Sequence, residues 1–338
     1  MKSKPQEIPV FKKFKAEELP LLLDEQSGKM VPVTMNFVLP GFDKPSRYVP
    51  KGNPEYVFRK NLFRDVGNFL RAPYGHALWL SGPTGSGKTS VLLELASRIN
   101  WPVQNVTCHS RLEFDDLVGR TQVIAVPGET TPRCRFIYGP LARAMKDGHI
   151  LILNEIDLVD PAQLSGLNDI LEGRSLVVVG NGGEVIEPHP MFRVVVTANS
   201  KGGGDDSGSY CGVMTQNVAA MDRYRVLEVP YLPQNVEAGV LKNVFGDQIP
   251  EDIRNSMVRL ANKVRESYVS GVGFSAPMST RTLILWGYML CDYAECPNKM
   301  KETLRLSFGN RLSKPEQLSL YTVAQQIFSG SCWLDEGV

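Results

Sequence analysis

Apolar residues recur with helical spacing at positions 57, 58, 62, 63, 66, 69 and 70, which predicts a helix over 54–70. A short run, ALWLS at 77–81, follows and ends in a glycine-rich loop; residues 90–99 are again apolar at helical spacing. Further runs at 103–107 (VQNVT), 150–154 (ILILN) and 192–199 (FRVVVTAN) read as buried strands, with helical stretches at 139–146 and 161–171 between them. Buried parallel strands alternating with helices predict an α/β layer architecture, with VLEVPYL at 226–232 as its last strand. After Pro233 the pattern is helical at 236–245, 250–270, 281–291, 299–308 and 315–328, with no convincing strand, so a second, all-helical domain is expected. The expected units are an N-terminal extension over 1–50, an α/β domain over 51–232, a helical domain over 233–328 and a tail over 329–338. The extension is rich in Pro and Lys and is expected to hold a little strand but no packed core.

Composition narrows the class. The 338 residues are 43% hydrophobic and 22% charged, which is ordinary for a globular protein and excludes a collagen-like fibre or a small disulfide scaffold. With 37 basic and 36 acidic side chains the net charge is +1, so there is no global electrostatic footprint for nucleic acid or an anionic membrane. The lysines at 2, 4, 12, 13 and 15 form one cluster, read as a solvated tail. Apolar runs are too short to cross a bilayer, and the charged, Pro-broken N-terminus lacks an apolar segment of signal type. Cysteines 108, 134, 211, 291, 296 and 332 show no CxxC spacing, and histidines 76, 109, 149 and 189 no ligand spacing. Isolated thiols in a reducing, cytoplasmic setting are expected.

The candidate chemistry lies at 82–89, GPTGSGKT, which fits G-x-x-x-x-G-K-[ST] and sits between a strand and an amphipathic helix. Gly82, Gly85 and Gly87 let backbone N–H groups turn inward around a phosphate, with Pro83, Thr84 and Ser86 completing the loop. The helix N-terminus adds positive potential. Lys88 brings an ammonium to the β/γ oxygens, and Thr89 offers a hydroxyl to Mg2+. ATP with Mg2+ is the expected ligand; no NKxD guanine-reading motif is present. The strand ILILNEID at 150–157 supplies the second half, with Asn154 where an Asp is usual beside Mg2+ and Glu155 placed to polarise an attacking water. An ionised carboxylate there makes a bond of about 1.5–3 kcal/mol and a neutral amide about 0.5–1.5. Weakened but real hydrolysis is therefore expected, with a nearly inactive nucleotide trap as the competing possibility. GNGG at 180–183 reads as a hairpin turn, and GGGDDSG at 202–208, whose carboxylates would repel phosphate, as a mobile loop.

From about 48 to 306 the chain resembles the AAA+ ATPases, within them the MoxR group. The resemblance implies a P-loop AAA+ core, a parallel sheet flanked by helices, followed by a small helical lid. In FRVVVTANS, Asn199 matches the sensor 1 residue; in MDRY, Arg223 matches the arginine finger that reaches a neighbouring subunit; in STRT, Arg281 matches sensor 2. Each arginine would neutralise charge on the transferring phosphoryl group. TQVIAVPGETTPRCRFIY at 121–138 and RSLVVVGNGGEVIEPHPMFR at 174–193 resemble that group's two inserted hairpins, which face a central pore; packing ribbons are the alternative.

YVPKGNPEYVF at 48–58, 100–120, 204–233 and PMSTRTLILW at 277–286 are similar to the small ATPase subunit of aerobic cobaltochelatases. That likeness implies a homo-oligomer, most simply a hexameric ring, a von Willebrand A-type protein partner and a large chelatase subunit. Asn154, Thr280 (where Pro is usual) and the first 45 residues depart from that pattern. The reading is a ring ATPase that remodels or activates a protein partner. Two other classes compete: a nucleotide-dependent assembly scaffold that scarcely turns over, and a nucleic-acid-directed motor, which the neutral charge disfavours.

Overall fold

The computed structural model describes residues 10–13, 21–33, 38–44, 46–54, 56–124, 132–163, 165–204 and 213–328. The Pro127–Gly128 turn, the acidic part of the 202–208 loop, the 329–338 tail, Cys211, Cys332 and the lysines at 2, 4 and 15 lie outside them.

Among its described residues the N-terminal region forms four short strands: β1 (Val10–Lys13), β2 (Leu22–Leu23), β3 (Met30–Val31) and β4 (Val38–Gly41). β1 pairs antiparallel with β4, while β2 pairs with β3 and, in parallel, with β5 (Phe58–Arg59). This corrects the expectation of an extension without a packed core. Leu22 and Leu39 are buried within the main apolar cluster, and Leu39 is wholly inaccessible. Each such leucine adds about 1.5–3 kcal/mol. Arg59 fastens the segment by pairing with Glu25 at 2.6 Å and donating to the Pro230 carbonyl. Helix α1 (Lys60–Arg71) starts later than its apolar spacing suggests, because Phe58–Arg59 is taken up by β2.

The α/β part continues with β6 (Ala77–Ser81), α2 (Lys88–Arg98), β7 (Val103–Thr107), α3 (Phe114–Val118), β8 (Gly119–Ile124), β9 (Arg133–Tyr138), α4 (Pro140–Asp147) and β10 (Ile150–Asn154). Then come α5 (Leu167–Leu171), β11 (Leu176–Val178), β12 (Glu184–Ile186), β13 (Arg193–Ala198), α6 (Val218–Met221) and β14 (Tyr224–Glu228). Five strands form one parallel sheet in the order β14-β6-β13-β10-β7. Alternation along each strand feeds two faces. Leu78, Leu80, Ile150 and Ile152 join the cluster with α1 and α2, whereas Ala77, Trp79, Leu151 and Leu153 join the cluster with α4 and α5. Helix α5 is shorter than the expected 161–171: Pro161 opens a run of turns, and Gly166 lies where a Cβ would meet the Phe114 ring at 2.9 Å.

Both expected ribbons form. β8 and β9 pair antiparallel, as do β11 and β12, the latter closing through Gly182 and Gly183 at positive φ. Tyr138 donates to Glu184, which also accepts from Lys146 at 2.8 Å and Asn181 at 2.6 Å, so the base of the first ribbon is tied to the turn end of the second. Val123, Val179 and Val185 on the ribbons are exposed.

The rest is helical: α7 (Gln234–Phe245), α8 (Glu251–Val269), α9 (Thr280–Asp292), α10 (Lys299–Ser307) and α11 (Lys314–Ile327). They enclose their own core around Trp286, Leu260 and Phe308. Ser279 caps α9 by accepting from Thr282 N, and Ser313 with Glu316 forms a capping box on α11. No described helix is long and apolar enough to cross a membrane.

Candidate functional site

The carboxyl ends of β6, β13 and β10 lie side by side, because Ser81 pairs with Ala198 and Thr197 with Asn154. In an open parallel sheet that edge is where ligands bind. Residues 82–87 leave β6 there and deliver the N-terminus of α2, with Gly87 as its N-cap at φ 96°. Gly85 is required twice over. Its φ is +76°, and a Cβ on it would stand 2.6 Å from the Ser279 Cβ, since the helical part packs directly on this loop.

Lys88 Nζ donates to Gly82 O at 2.5 Å, Pro83 O at 3.0 Å and Asn199 Oδ1 at 3.2 Å, joining two of the sequence-selected residues. Burial pushes its ammonium down to about 8; the Arg281 guanidinium adds to that, while Asp157 and Glu155 oppose it. Arg281, exposed at the start of α9, is thus within electrostatic reach, with its Cβ 3.8 Å from where a Gly85 Cβ would lie. Thr89 Oγ1 donates to Asn154 Oδ1 at 2.6 Å. The amide of Asn154 is engaged on both sides: Nδ2 donates to Asn105 Oδ1 at 2.6 Å and to Val106 O at 3.2 Å. Glu155 is exposed and held at φ 56°, ψ 44°, a left-handed conformation that costs a non-glycine residue of order 1–3 kcal/mol and is concentrated at functional sites. Thr89 and Asn154 together present hard oxygen donors of the kind Mg2+ takes.

Arg223 is elsewhere. Its carbonyl accepts from Ala77 N, the first residue of β6, so it lies at the amino end of the strand whose carboxyl end bears the phosphate loop. The strand separates them by about 13 Å. Arg223 donates from Nε and Nη2 to Glu172 and from Nη1 to Ala219 O. That hydrogen bond holds the Glu172 carboxyl below its usual range, with Arg174 assisting. Around it opens a cavity of about 400 Å³ lined by Gly75, His76, Leu171, Glu172, Ala219, Asp222 and Arg223.

Two contributors escaped the reading of the sequence. Asp157 is wholly buried, and its Oδ2 accepts from the backbone N–H groups of Asn199 at 2.9 Å and Ser200 at 3.2 Å, fixing the turn that presents Asn199. Its place two residues after Glu155 was the available signal. Asn105, which fixes the Asn154 amide, had none; it becomes a neighbour only through the pairing of β7 with β10. Among the described residues no group of three His, Cys, Asp or Glu side chains could hold a metal ion.

Two family models match the chain: an AAA domain of the dynein-related subfamily over residues 77–210, and the CbbQ/NirQ/NorQ C-terminal region over 237–310. The chain is 29% identical over 296 residues to the aerobic cobaltochelatase subunit CobS of a Sinorhizobium species, covering 86% of each. It is 34% identical over 169 residues to an uncharacterized protein of Staphylococcus aureus strain USA300, covering 50% of this chain and 59% of that one. A RuvB point mutant of Thermotoga maritima superposes with a TM-score of 0.48 at 15% identity, over 76% of this chain and 73% of that one. With one model on the sheet half and the other on the helices packed against its phosphate loop, the chain combines an AAA domain with a CbbQ/NirQ/NorQ C-terminal region, the MoxR-type arrangement.

Proposed function

We propose that the chain binds ATP with Mg2+ at residues 82–89 and hydrolyses it at the junction between copies of a ring, using the energy to remodel or activate a protein partner. The observation that carries this reading is the separation of Arg223 from its own phosphate loop by the full length of β6. An arginine side chain cannot bridge about 13 Å, so the loop it completes belongs to an adjacent copy. In this reading 51–232 is the nucleotide domain, 233–328 the lid, 1–50 an extension and 329–338 a tail; six copies make the ring, in the cytoplasm.

Residues 82–87 hold the phosphates through backbone N–H groups, and Lys88 and Arg281 balance their charge. Thr89 and Asn154 hold Mg2+, which when bound neutralises phosphate oxygens. Glu155 takes the proton of the attacking water and Asn199 orients that water. Arg223 of the neighbouring copy meets the charge that develops on the transferring group. The likeness to a cobaltochelatase subunit supports a chelatase-type assembly, with a von Willebrand A-type protein and a large chelatase subunit as partners. The exposed valines of the two ribbons suit contact with such a partner across the pore.

Glu155→Gln tests the assignment. ATP binding should persist while steady-state hydrolysis falls by about 10²-fold or more. A wild-type rate would remove Glu155 from the mechanism, and absence of adenine nucleotide uptake at millimolar concentration in calorimetry would remove the whole reading.

A second reading, the nucleotide-dependent scaffold, is favoured by one observation. Asn154 is bonded as an amide, donating to Asn105 and Val106 O as well as accepting from Thr89, an arrangement a carboxylate could not copy. A large rise in hydrolysis on Asn154→Asp would favour it.

A further inference from the structure

Four side chains lie between the phosphate loop and the helical lid and touch in sequence. Tyr231 stands in the short segment between β14 and α7. Its hydroxyl donates to the Thr84 carbonyl at 2.8 Å, and the Arg265 guanidinium lies over its ring, 4.1 Å from the centroid. Arg265, on α8, gives Nη1 and Nη2 to the two carboxylate oxygens of Glu237 on α7, both at 2.8 Å, and Nε to Met278 O at 2.6 Å. Glu237 Oε1 also accepts from Thr280 Oγ1 at 2.5 Å. Thr280 is the first residue of α9, and Arg281 is the second.

The ion pair is deeply buried, with side-chain exposure of 6% for Arg265 and 0% for Glu237. Desolvating two charges costs several kcal/mol each, and well-packed apolar residues would hold α7 to α8 at least as firmly. Stability alone therefore does not account for it. What an ion pair adds is direction. The guanidinium is fixed by three hydrogen bonds and a ring, and the carboxylate by Arg265 and the Thr280 hydroxyl. The start of α9 is thereby oriented from the lid side, while Ser279 packs against Gly85 from the loop side.

We infer that Tyr231, Arg265, Glu237 and Thr280 form a relay that sets Arg281 against the phosphate loop, with Tyr231 and Thr280 as positioning residues for recognition of the terminal phosphate of ATP. The inference rests on the proposed role of Arg281 as a phosphate contact. A cation must be held within a fraction of an ångström of its phosphate oxygen to contribute fully. Loosening the relay therefore weakens a triphosphate, which reaches Arg281, more than a diphosphate, which does not.

The test is calorimetry on the full chain with ADP and a non-hydrolysable ATP analogue, for Tyr231→Phe, Thr280→Val, Arg281→Ala and their combinations. Arg281→Ala should lower the preference for the triphosphate by about tenfold, and each relay variant by about three- to fivefold with ADP affinity unchanged. In the Arg281→Ala background neither relay variant should lower the preference further. An unchanged preference in Tyr231→Phe and Thr280→Val, beside a loss in Arg281→Ala, overturns the relay and leaves the proposed function standing. Equal weakening of both nucleotides also overturns it, by assigning these residues to general stability. An unchanged preference in Arg281→Ala overturns both the relay and the role proposed for Arg281.

Discussion

The two ends of β6 are furnished differently. At its carboxyl end Lys88 is bonded to Asn199, and Thr89 to Asn154 and through it to Asn105; Ser279 of the helical part packs on the same loop, and Tyr231, just before α7, donates to it. Under the proposed function, every element that grips the triphosphate comes from one chain. At its amino end the Arg223 guanidinium, 29% exposed, rests on Glu172, which Arg174 also pairs with, at the wall of an open cavity with no phosphate loop of its own within reach. One end is a whole site and the other is half of one. Binding should then be a property of the protomer, and turnover a property of the assembly.

The largest expected effect separates these. Arg223→Ala should leave ATP affinity within about twofold of wild type and lower the rate of hydrolysis by about 10³-fold or more, the range for a residue meeting transition-state charge from a neighbouring subunit. Lys88→Ala should do the reverse in kind: affinity falls by about 10²-fold, the worth of a charge-assisted contact in a partly desolvated site. Mixing the two inactive proteins should recover part of the rate, because some junctions then pair an intact Lys88 with an intact Arg223. If mixing restores nothing while Arg223→Ala alone is inactive, the two ends of β6 do not meet across a junction.

How much of this was readable in the sequence follows the same division. The strands of the parallel sheet and the 82–89 loop are local patterns: apolar runs of five or six residues, and glycines at fixed spacing before a helix. The central strands β6, β10 and β13 were legible because burial on both faces leaves little choice of residue, whereas the edge strand β14, part exposed, lies at Tyr224–Glu228 and not at the expected 226–232. The candidate site needed more. Asn154 and Thr89 are 65 positions apart and are joined only by strand order. Asn105 and Asp157 act through neighbours, so their residue types alone announce nothing. The N-terminal segment departs from its sequence pattern for a related reason. Leu22 and Leu39 look sparse in a Pro- and Lys-rich stretch, but they complete a core that α1 and α2 leave open. The relay from Tyr231 to Thr280 spans three helices and has no sequence signature at all.

A smaller effect sharpens the description of the whole site. Asn154→Asp places a carboxylate against Val106 O, which cannot rotate away, although the Asn105 amide can turn to donate. The expected cost is about 1 kcal/mol of stability in chemical denaturation, since a half-buried acceptor is left facing another acceptor. Hydrolysis should rise by no more than about tenfold, as a charged partner for Thr89 and Mg2+ replaces a neutral one. Asn105→Asp, which keeps an acceptor toward Asn154 Nδ2, should cost less than Asn154→Asp, because the donor of the pair is retained.

The smallest effect lies away from both ends of the machinery and serves as the control. His149, at the amino end of β10, is buried against Gln104 and the Tyr48 ring. Burial pushes its imidazole down to about 4, with Arg143 and His189 adding to the shift and Asp147 opposing it. The unfolded chain takes up a proton there near pH 6.5, and the folded chain does so only near pH 4. Below pH 6.5 the unfolded state therefore binds more protons, so the contribution of neutral His149 is complete above that value and is lost as the pH falls toward 4. Between about pH 7.5 and 5.5 this amounts to about 1 kcal/mol. Replacing His149 by Asn removes the titration, so denaturation midpoints of the variant should fall less steeply over that interval than those of wild type. Because His149 touches neither the phosphate loop nor Arg223, nucleotide affinity and the rate per ring should be unchanged at about pH 7.5. A change in either would mean that the surroundings of His149, at the start of β10, are coupled to nucleotide binding or turnover, and that the division between a whole site and a half site does not describe the molecule.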